Sequence, residues 1–299
     1  METTPYIWLN GKLIPWDDAN VHVLTHALQY GSGVFEGLRF YETEEGSAIF
    51  RLEDHTKRLF YSASTLRLEL PFTPEEINAG VKEVVAKSGI PAGYIRPVAF
   101  FGSGKMGLNP QGAKVEVAIA CWPWGKYLPD RPLTTKVSRY IRIHPRSLVA
   151  DAKVNGHYVN SILASQEVRG EGYDEAILLD YEDHVSEGPA ENIFLVKDGV
   201  LATPKPGNIL HGITRDSVMQ IARDLGISVE ERSIPEAELF TADELFFTGT
   251  AVEVAPIGLV NRKQIGNGKE GELTRKIREK YLAAVTGKAQ EYSKWLTNI

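Results

Sequence analysis

The sequence predicts an α+β fold. Strand-like runs and helical periodicities alternate along its 299 residues. They do so without the regular strand–helix–strand cadence of a parallel sheet, and two pairs of runs carry hairpin signals. Residues 7–9 and 12–14 flank Asn10-Gly11, a type I′ turn signal because both central residues tolerate positive φ. Runs 35–41 and 47–50 read as strands around Glu44-Glu45-Gly46. A helix begins at Thr73-Pro74-Glu75-Glu76: Thr73 can cap, Pro74 suits the first turn, and Glu76 closes a capping box. Ile77, Val81, Val84 and Val85 share one face of it, and Gly89 ends it. Runs 94–101 and 115–121 are strands, the second alternating Val115, Val117 and Ile119.

Pro, Gly and aromatic residues then interrupt the pattern at Trp122-Pro123-Trp124-Gly125-Lys126-Tyr127-Leu128-Pro129, the expected domain junction. Beyond it are expected a strand at 134–143, a helix after Gly156, a strand at 176–179, and a hairpin 194–196/200–202 turned by Asp198-Gly199. A helix at 214–225 closed by Gly226, a strand at 245–247 and a charged helix from Glu272 follow. The expected organisation is a small domain at 1–121, an interdomain loop at 122–133 and a larger domain at 134–299.

Composition excludes several classes of function. Hydrophobic content of 43% and charged content of 24% belong to a globular protein. A net charge of −6 gives nucleic-acid binding no electrostatic support. One cysteine, Cys121, cannot build a disulfide framework and fits a reducing compartment. No basic-then-apolar leader opens the sequence and no apolar run approaches the ~20 residues that span a bilayer. A soluble, cytoplasmic protein with no membrane or nucleic-acid partner is expected.

Three familiar motifs fail on inspection. Gly102-Ser103-Gly104-Lys105 resembles part of a phosphate loop, but Ala99 replaces the upstream glycine and Met106 stands where a hydroxyl should bind magnesium. His22 and His26 have the spacing of zinc ligands on a helix, but no glutamate follows His22, so no metal site is expected. No Gly-x-Ser-x-Gly elbow supports a serine hydrolase.

Four remaining segments are modest singly. They are Asp151-Ala152-Lys153-Val154-Asn155-Gly156-His157-Tyr158, Ser186-Glu187-Gly188-Pro189-Ala190-Glu191-Asn192, Gly212-Ile213-Thr214-Arg215 at a helix start, and Gly249-Thr250-Ala251 after a strand. Each alone describes an ordinary lysine, loop or cap. They occur in register with Tyr30-Gly31, Val34-Phe35-Glu36-Gly37-Leu38-Arg39, His55 with Arg58-Leu59, Tyr94-Ile95-Arg96-Pro97, Met106-Gly107-Leu108-Asn109-Pro110 and Pro123-Trp124-Gly125 with Tyr127-Leu128. Together, over nearly the whole chain, they resemble the fold-type IV (class IV) pyridoxal-phosphate aminotransferases, and within them the branched-chain amino acid aminotransferases.

That resemblance implies a small N-terminal α/β domain, a larger C-terminal domain with a β-barrel-like core, pyridoxal 5'-phosphate between the domains, and a homodimer or higher homo-oligomer. By the same resemblance Lys153 is the Schiff-base lysine and general base, an amine that must be desolvated or set near positive charge to work. Glu187 corresponds to the acid at the pyridine nitrogen and Tyr158 to the partner of the ring hydroxyl. Arg58, Leu210, Ile213, Thr214 and Thr250 would complete cofactor binding, with the helix start and the guanidinium on the phosphate. Tyr30, Phe35, Gly37, Tyr94, Arg96, Leu108, Trp124, Tyr127 and Ala251 correspond to substrate-binding positions. The substrates implied are branched-chain L-amino acids (leucine, isoleucine, valine) and 2-oxoglutarate.

Asn155, His157, His211 and Trp122 depart from the family's common pattern. D-amino acid and (R)-amine aminotransferases and aminodeoxychorismate lyases share the lysine–glutamate pair. The Tyr94-x-Arg96-Pro97 strand with the Trp124-Gly125-x-Tyr127 loop favours the L-branched-chain group. A non-catalytic protein on the same scaffold would not be expected to keep Lys153, Glu187 and Arg58 together.

Overall fold

Hydrogen bonds between distant segments organise the chain into two compact units. The computed structural model describes residues 2–299. One unit comprises Met1–Gly125, Ala152–His157 and Ala284–Ile299; the other comprises Lys126–Asp151 and Tyr158–Ala283. The first crossing falls inside the expected junction at 122–133. The expected assignment of 134–299 to one domain is corrected at 152–157 and 284–299. Both stretches return to the first unit because their backbones pair there, which no local pattern encodes.

In the first unit the strands run in the order Leu296–Asn298, Gly46–Phe50, Leu38–Thr43, Gly93–Phe101, Val115–Trp122, Tyr6–Leu9, Lys12–Pro15, all neighbours antiparallel. The turn joining the last two has φ of 50° at Asn10 and 89° at Gly11, as the hairpin signal requires. The expected strand 35–41 is instead two, Gly33–Phe35 and Leu38–Thr43, both antiparallel to Gly93–Phe101. The interruption lies opposite Pro97: Glu36 N–H donates to the Pro97 carbonyl at 2.8 Å, but Pro97 has no N–H to return.

The helix Pro74–Ala86 forms with its capping box complete, Thr73 Oγ1 accepting from Glu76 N–H and Glu76 accepting from Thr73 N–H. Its buried face is Ile77, Val81, Val84 and Val85, as the periodicity predicts. The helix Leu52–Thr65 packs on it, with Leu59 and Ala63 in the same core. No expectation covered this helix: it starts after Arg51 in a left-handed conformation, with no side-chain cap to mark it.

In the second unit six strands close into a ring. The order is Val185–Glu187, Glu175–Leu179, Leu133–Val137, Glu253–Val260, Glu244–Gly249, Asn192–Lys197, and the last pairs back to the first through Glu187 and Asn192. This is the barrel core the family resemblance implies. Leu195, Ile193, Ile177, Phe247 and Ile257 lie in its hydrophobic core. Val200–Pro204 and Val229–Arg232 extend the sheet beyond Asn192–Lys197. The expected strand 134–143 ends at Val137, because the Ser138 hydroxyl accepts from Tyr140 N–H at 3.0 Å and turns the chain. The helix Ile213–Asp224 buries Val218, Ile221 and Ala222 and ends before Gly226 at φ 75°. Among the described residues no helix is long and apolar enough to cross a membrane.

Thr73→Ala should lower the unfolding free energy by about 0.5–2 kcal/mol, because the bond from Glu76 N–H to the Thr73 hydroxyl is lost while the backbone half of the box remains. Urea unfolding at unchanged m-value checks this; an unchanged midpoint would show that the capping box contributes nothing.

Candidate active site

Lys153 lies on a strip docked against the strand Gly33–Phe35. Phe35 N–H donates to the Lys153 carbonyl at 3.1 Å, Lys153 N–H donates to Ser62 Oγ at 2.9 Å, and Val34 forms a bridge with Val154. Gly156 N–H donates to the Gly31 carbonyl at 3.1 Å, an approach that a Cβ on Gly31 would block at 2.8 Å from Gly156 Cα. Asn155, one of the departures from the family pattern, sets its Oδ1 where a Cβ on Gly33 would stand 3.0 Å away. His157 Nδ1 lies 3.2 Å from the Ala152 carbonyl, so this residue closes the strip on itself. These bonds fix the backbone of the strip around Lys153.

The Lys153 amine lies 4.8 Å from the centre of the Phe35 ring. Burial, reinforced by the positive charge of Arg58 and partly opposed by Glu36, lowers its pKa from the ordinary lysine value to about 8. Arg58 sits on the helix Leu52–Thr65 and donates from Nε to Glu36 Oε1 at 2.6 Å and from Nη2 to Glu36 Oε2 at 2.9 Å. His55, one turn earlier, places Nδ1 2.7 Å from the same Oε2. Glu36 is fully buried. Burial pushes its carboxyl up, but Arg58 and His55 outweigh that and hold it well below the usual carboxylate range. Burial lowers the pKa of His55 against the pull of Glu36, so the ring is neutral and its Nδ1–H is the donor.

Beside these groups stands an aromatic wall with one cation. The Arg96 guanidinium carbon lies 4.7 Å from the centre of the Phe35 ring and 5.4 Å from that of Tyr94. Tyr94 meets Trp124 edge-on at 4.4 Å between ring centres. The Tyr94 hydroxyl occupies the space that a Cβ on Gly37 would enter at 1.8 Å, so glycine at 37 is what admits it. Arg96 Nε is buried with no hydrogen-bond partner among the described residues. An unpaired guanidinium N–H among aromatic faces suits an incoming anion. The first unit therefore brings together Lys153, Arg58, Phe35, Gly37, Tyr94, Arg96 and Trp124.

In the second unit the buried carboxylate of Glu187 has both oxygens engaged. Arg142 Nε donates to Oε1 at 2.5 Å, while Asn192 Nδ2 and Leu210 N–H donate to Oε2 at 3.0 and 2.9 Å. Asn192 Nδ2 also donates to the Leu210 carbonyl at 2.9 Å, and its Oδ1 lies where a Cβ on Gly212 would come within 1.9 Å. Gly212 caps the helix Ile213–Asp224 with no side-chain bond to the first turn. Ile213 and Thr214 are buried there. The turn carrying Thr250 and Ala251 leaves the end of Glu244–Gly249, and a Cβ on Gly249 would stand 3.3 Å from the Ala190 carbonyl.

Four expected positions stand apart from these clusters. Leu108 is 89% exposed and Tyr30 is 44% exposed in the first unit. His26 ties the short helix that ends at Tyr30 to the loop before Leu108: its ring lies 4.6 Å from that of Tyr30, and its Nε2 is 2.8 Å from the Gly107 carbonyl. His26 starts its own short helix, so His22 shares no helical face with it. In the second unit Tyr127 is 39% exposed; burial, then the charges of Glu191 and Glu175, raise its pKa against the opposing Arg169. Tyr158 is partly buried at the first turn of the helix Tyr158–Gly170, and His211 is exposed.

The amino-transferase class IV family model matches residues 33–260, which include the Lys153 strip and the Glu187 loop. The chain belongs to the class IV amino-transferases. It is 45% identical over 295 residues to the branched-chain-amino-acid aminotransferase of Pseudomonas aeruginosa, covering 97% of this chain and 96% of that protein. It is equally similar to a T.th. branched-chain amino acid aminotransferase solved in complex with N-(5'-phosphopyridoxyl)-L-glutamate, with TM-score 0.97, 45% identity and coverage of 100% and 99% of the two chains. The same enzyme solved with 4-methylvaleric acid aligns at TM-score 0.96 and 44% identity, with the same coverage.

For this class IV amino-transferase, sequence reasoning named Lys153 and Glu187 but not several buried polar residues around the candidate site. Glu36 stood only inside a motif string, and nothing marked Arg142 or gave Asn192 a role. Glu36 and Arg142 have partners 22 and 45 residues away, and none of the three residue types signals burial in isolation. Glu191 was missed likewise: it is 3% exposed, its Oε1 has no partner among the described residues, and burial together with Glu175 raises its pKa.

The amine of Lys153 should react as a neutral nucleophile at lower pH than other lysines. Labelling by a small acylating reagent, followed by mass spectrometry, should rise with pH through about 8 and then level off. Exposed lysines should keep gaining reactivity toward ~10.4. Arg58→Met should move the Lys153 midpoint upward, because a charge that disfavours the protonated amine is gone. A Lys153 profile matching that of the exposed lysines would refute the assignment.

Proposed function

We propose that this chain catalyses amino-group exchange between branched-chain L-amino acids and 2-oxoglutarate with pyridoxal 5'-phosphate as cofactor. The observation that carries the reading is Lys153, a half-buried amine of lowered pKa near a paired guanidinium, in a chain of this family. The donor set suits the cofactor. Lys153 offers an amine to its aldehyde, and Glu187 offers an ionised acceptor to its pyridine nitrogen. Gly212 leaves the first-turn N–H groups of Ile213–Asp224 without a side-chain cap, which suits a phosphate. Arg58 would add a guanidinium to that phosphate, and Tyr158, Leu210, Thr214 and Thr250 further polar contacts.

When bound, the cofactor supplies an aldehyde that takes up the amino group and a ring that accepts electron density from the substrate α-carbon. Lys153, neutral above about pH 8, takes the α-proton and returns it on the other side of the exchange. Glu187, paired with Arg142, would face the ring nitrogen and favour its protonated form. Phe35 and Trp124 would exclude water, and Tyr94 and Arg96 would orient the substrate.

One pocket must take both leucine and glutamate. A wholly apolar pocket would leave the γ-carboxylate unpaired, and a lone buried cation would reject leucine. Arg96, packed on Phe35 and Tyr94, keeps its charge on aromatic faces when no anion is present. Activity is therefore expected with L-leucine, L-isoleucine and L-valine and little with D-amino acids. Arg96→Met should cost the glutamate half-reaction ~2–5 kcal/mol and the leucine half-reaction much less, read from single-turnover spectra. Equal losses would mean that Arg96 serves the α-carboxylate or the fold.

We also infer that the chain works as a cytoplasmic homodimer. Leu28 on the short helix His26–Tyr30 and Val23 in the turn before it, 63% and 65% exposed, and the exposed Leu108 are apolar surface of the first unit that a second copy would cover. Light scattering at assay concentration should find a dimer, and an active monomer would rule this out.

A further inference from the structure

We propose that Glu36 is a positioning residue for anion binding: its carboxylate aims the Arg58 guanidinium at the cofactor phosphate, with His55 as the second clamp. The proposal rests on the reading above that Arg58 holds that phosphate. Arginine on a helix has a flexible four-bond stem, and a guanidinium binds an oxyanion well only when its plane is fixed. Glu36 takes the Nε–H and one Nη2–H, two bonds along one side edge of the planar group, which fixes both its plane and its direction. The N–H bonds at the far end of the guanidinium then project away from Glu36 by its own geometry.

His55 shares the helix with Arg58 and reaches the same Oε2, so the carboxylate is held from the helix that it holds. Gly37 N–H adds a further donor at 3.2 Å to that oxygen. Every group facing the carboxylate in these bonds is a donor. A carboxylate accepts from all of them, whereas a glutamine amide would set its own N–H against one. A fully buried carboxylate is costly and is weak evidence for stability, so its presence here calls for another explanation. The position of Glu36 supplies one. It occupies the strand interruption opposite Pro97, between Phe35 and Gly37, so the latch on Arg58 is built into the segment that forms the aromatic wall.

Titration of the apo-protein with pyridoxal 5'-phosphate and with pyridoxal, followed by absorbance, separates phosphate recognition from the rest of the site. Glu36→Gln should weaken binding of the phosphorylated compound roughly 10- to 100-fold, the size usual for losing a residue that orients a ligand-binding group. Pyridoxal binding should change far less, since it makes no use of the guanidinium. Arg58→Met should erase the same preference, and the double variant should lose nothing further. If Glu36→Gln weakens both compounds alike, or neither, Glu36 does not act through the phosphate. If Arg58→Met itself keeps the parent preference, the phosphate reading of Arg58 is wrong and this proposal falls with it. Should Glu36→Gln fail to fold, Glu36→Asp keeps the charge and withdraws it by one methylene. An intermediate loss of preference supports the proposal, and an unchanged preference overturns it.

Discussion

The strip Ala152–His157 can deliver an amine only because two glycines let it lie against the strand Gly33–Phe35. Gly31 and Gly156 touch backbone to backbone, and a side chain on Gly31 would meet Gly156 Cα at 2.8 Å. With that contact made, Phe35 and Ser62 take up the Lys153 carbonyl and N–H, and Val154 bridges to Val34. The side chain of Lys153 has few directions left. Its depressed pKa follows from where the strip puts it: burial removes water from the ammonium and Arg58 adds a like charge. A lysine on a mobile loop would keep its water and its proton.

Charge in the two units is handled by the same device. Glu36 with Arg58 and Glu187 with Arg142 are arginine–carboxylate contacts of 2.6 and 2.5 Å with almost no exposed side-chain surface on the acid. Such pairs seldom stabilise a fold relative to apolar packing. They do fix geometry, because a guanidinium fork and a carboxylate fit in few relative orientations. Glu191 makes the contrast. It lacks a cation of its own, faces the neighbouring charge of Glu175, and its pKa is driven up instead. The difference lies in the partner, not in the depth of burial.

What was legible in the sequence was local. Asn10-Gly11 and Asp198-Gly199 specify their hairpins through φ values that few other residue pairs adopt, and Thr73 to Glu76 encodes a helix start within four residues. The helix Leu52–Thr65 carries no such mark, since a left-handed Arg51 precedes it. Strands Val185–Glu187 and Leu296–Asn298 are three residues each, too short for periodicity, and exist only through partners distant in sequence. The site divides the same way. Lys153 and Glu187 were named through the family's motif order; no local chemistry singles them out. Arg142 is hidden because Glu187 lies 45 residues away.

The ring closure in the second unit joins fold to chemistry. The strand Val185–Glu187 meets Asn192–Lys197 at a single register pair, Glu187 with Asn192. At that pair the Asn192 amide also donates to the Glu187 carboxylate and to the Leu210 carbonyl. Its Oδ1 then fills the space beside Gly212, at the cap of Ile213–Asp224. One side chain therefore ties the closing strand, the carboxylate and the helix start. An Asn192 replacement that merely fitted the strand would leave a Glu187 oxygen short of a donor and open the packing against Gly212. In this unit barrel closure and the carboxylate's hydrogen bonds converge on one side chain, so neither can be altered there alone.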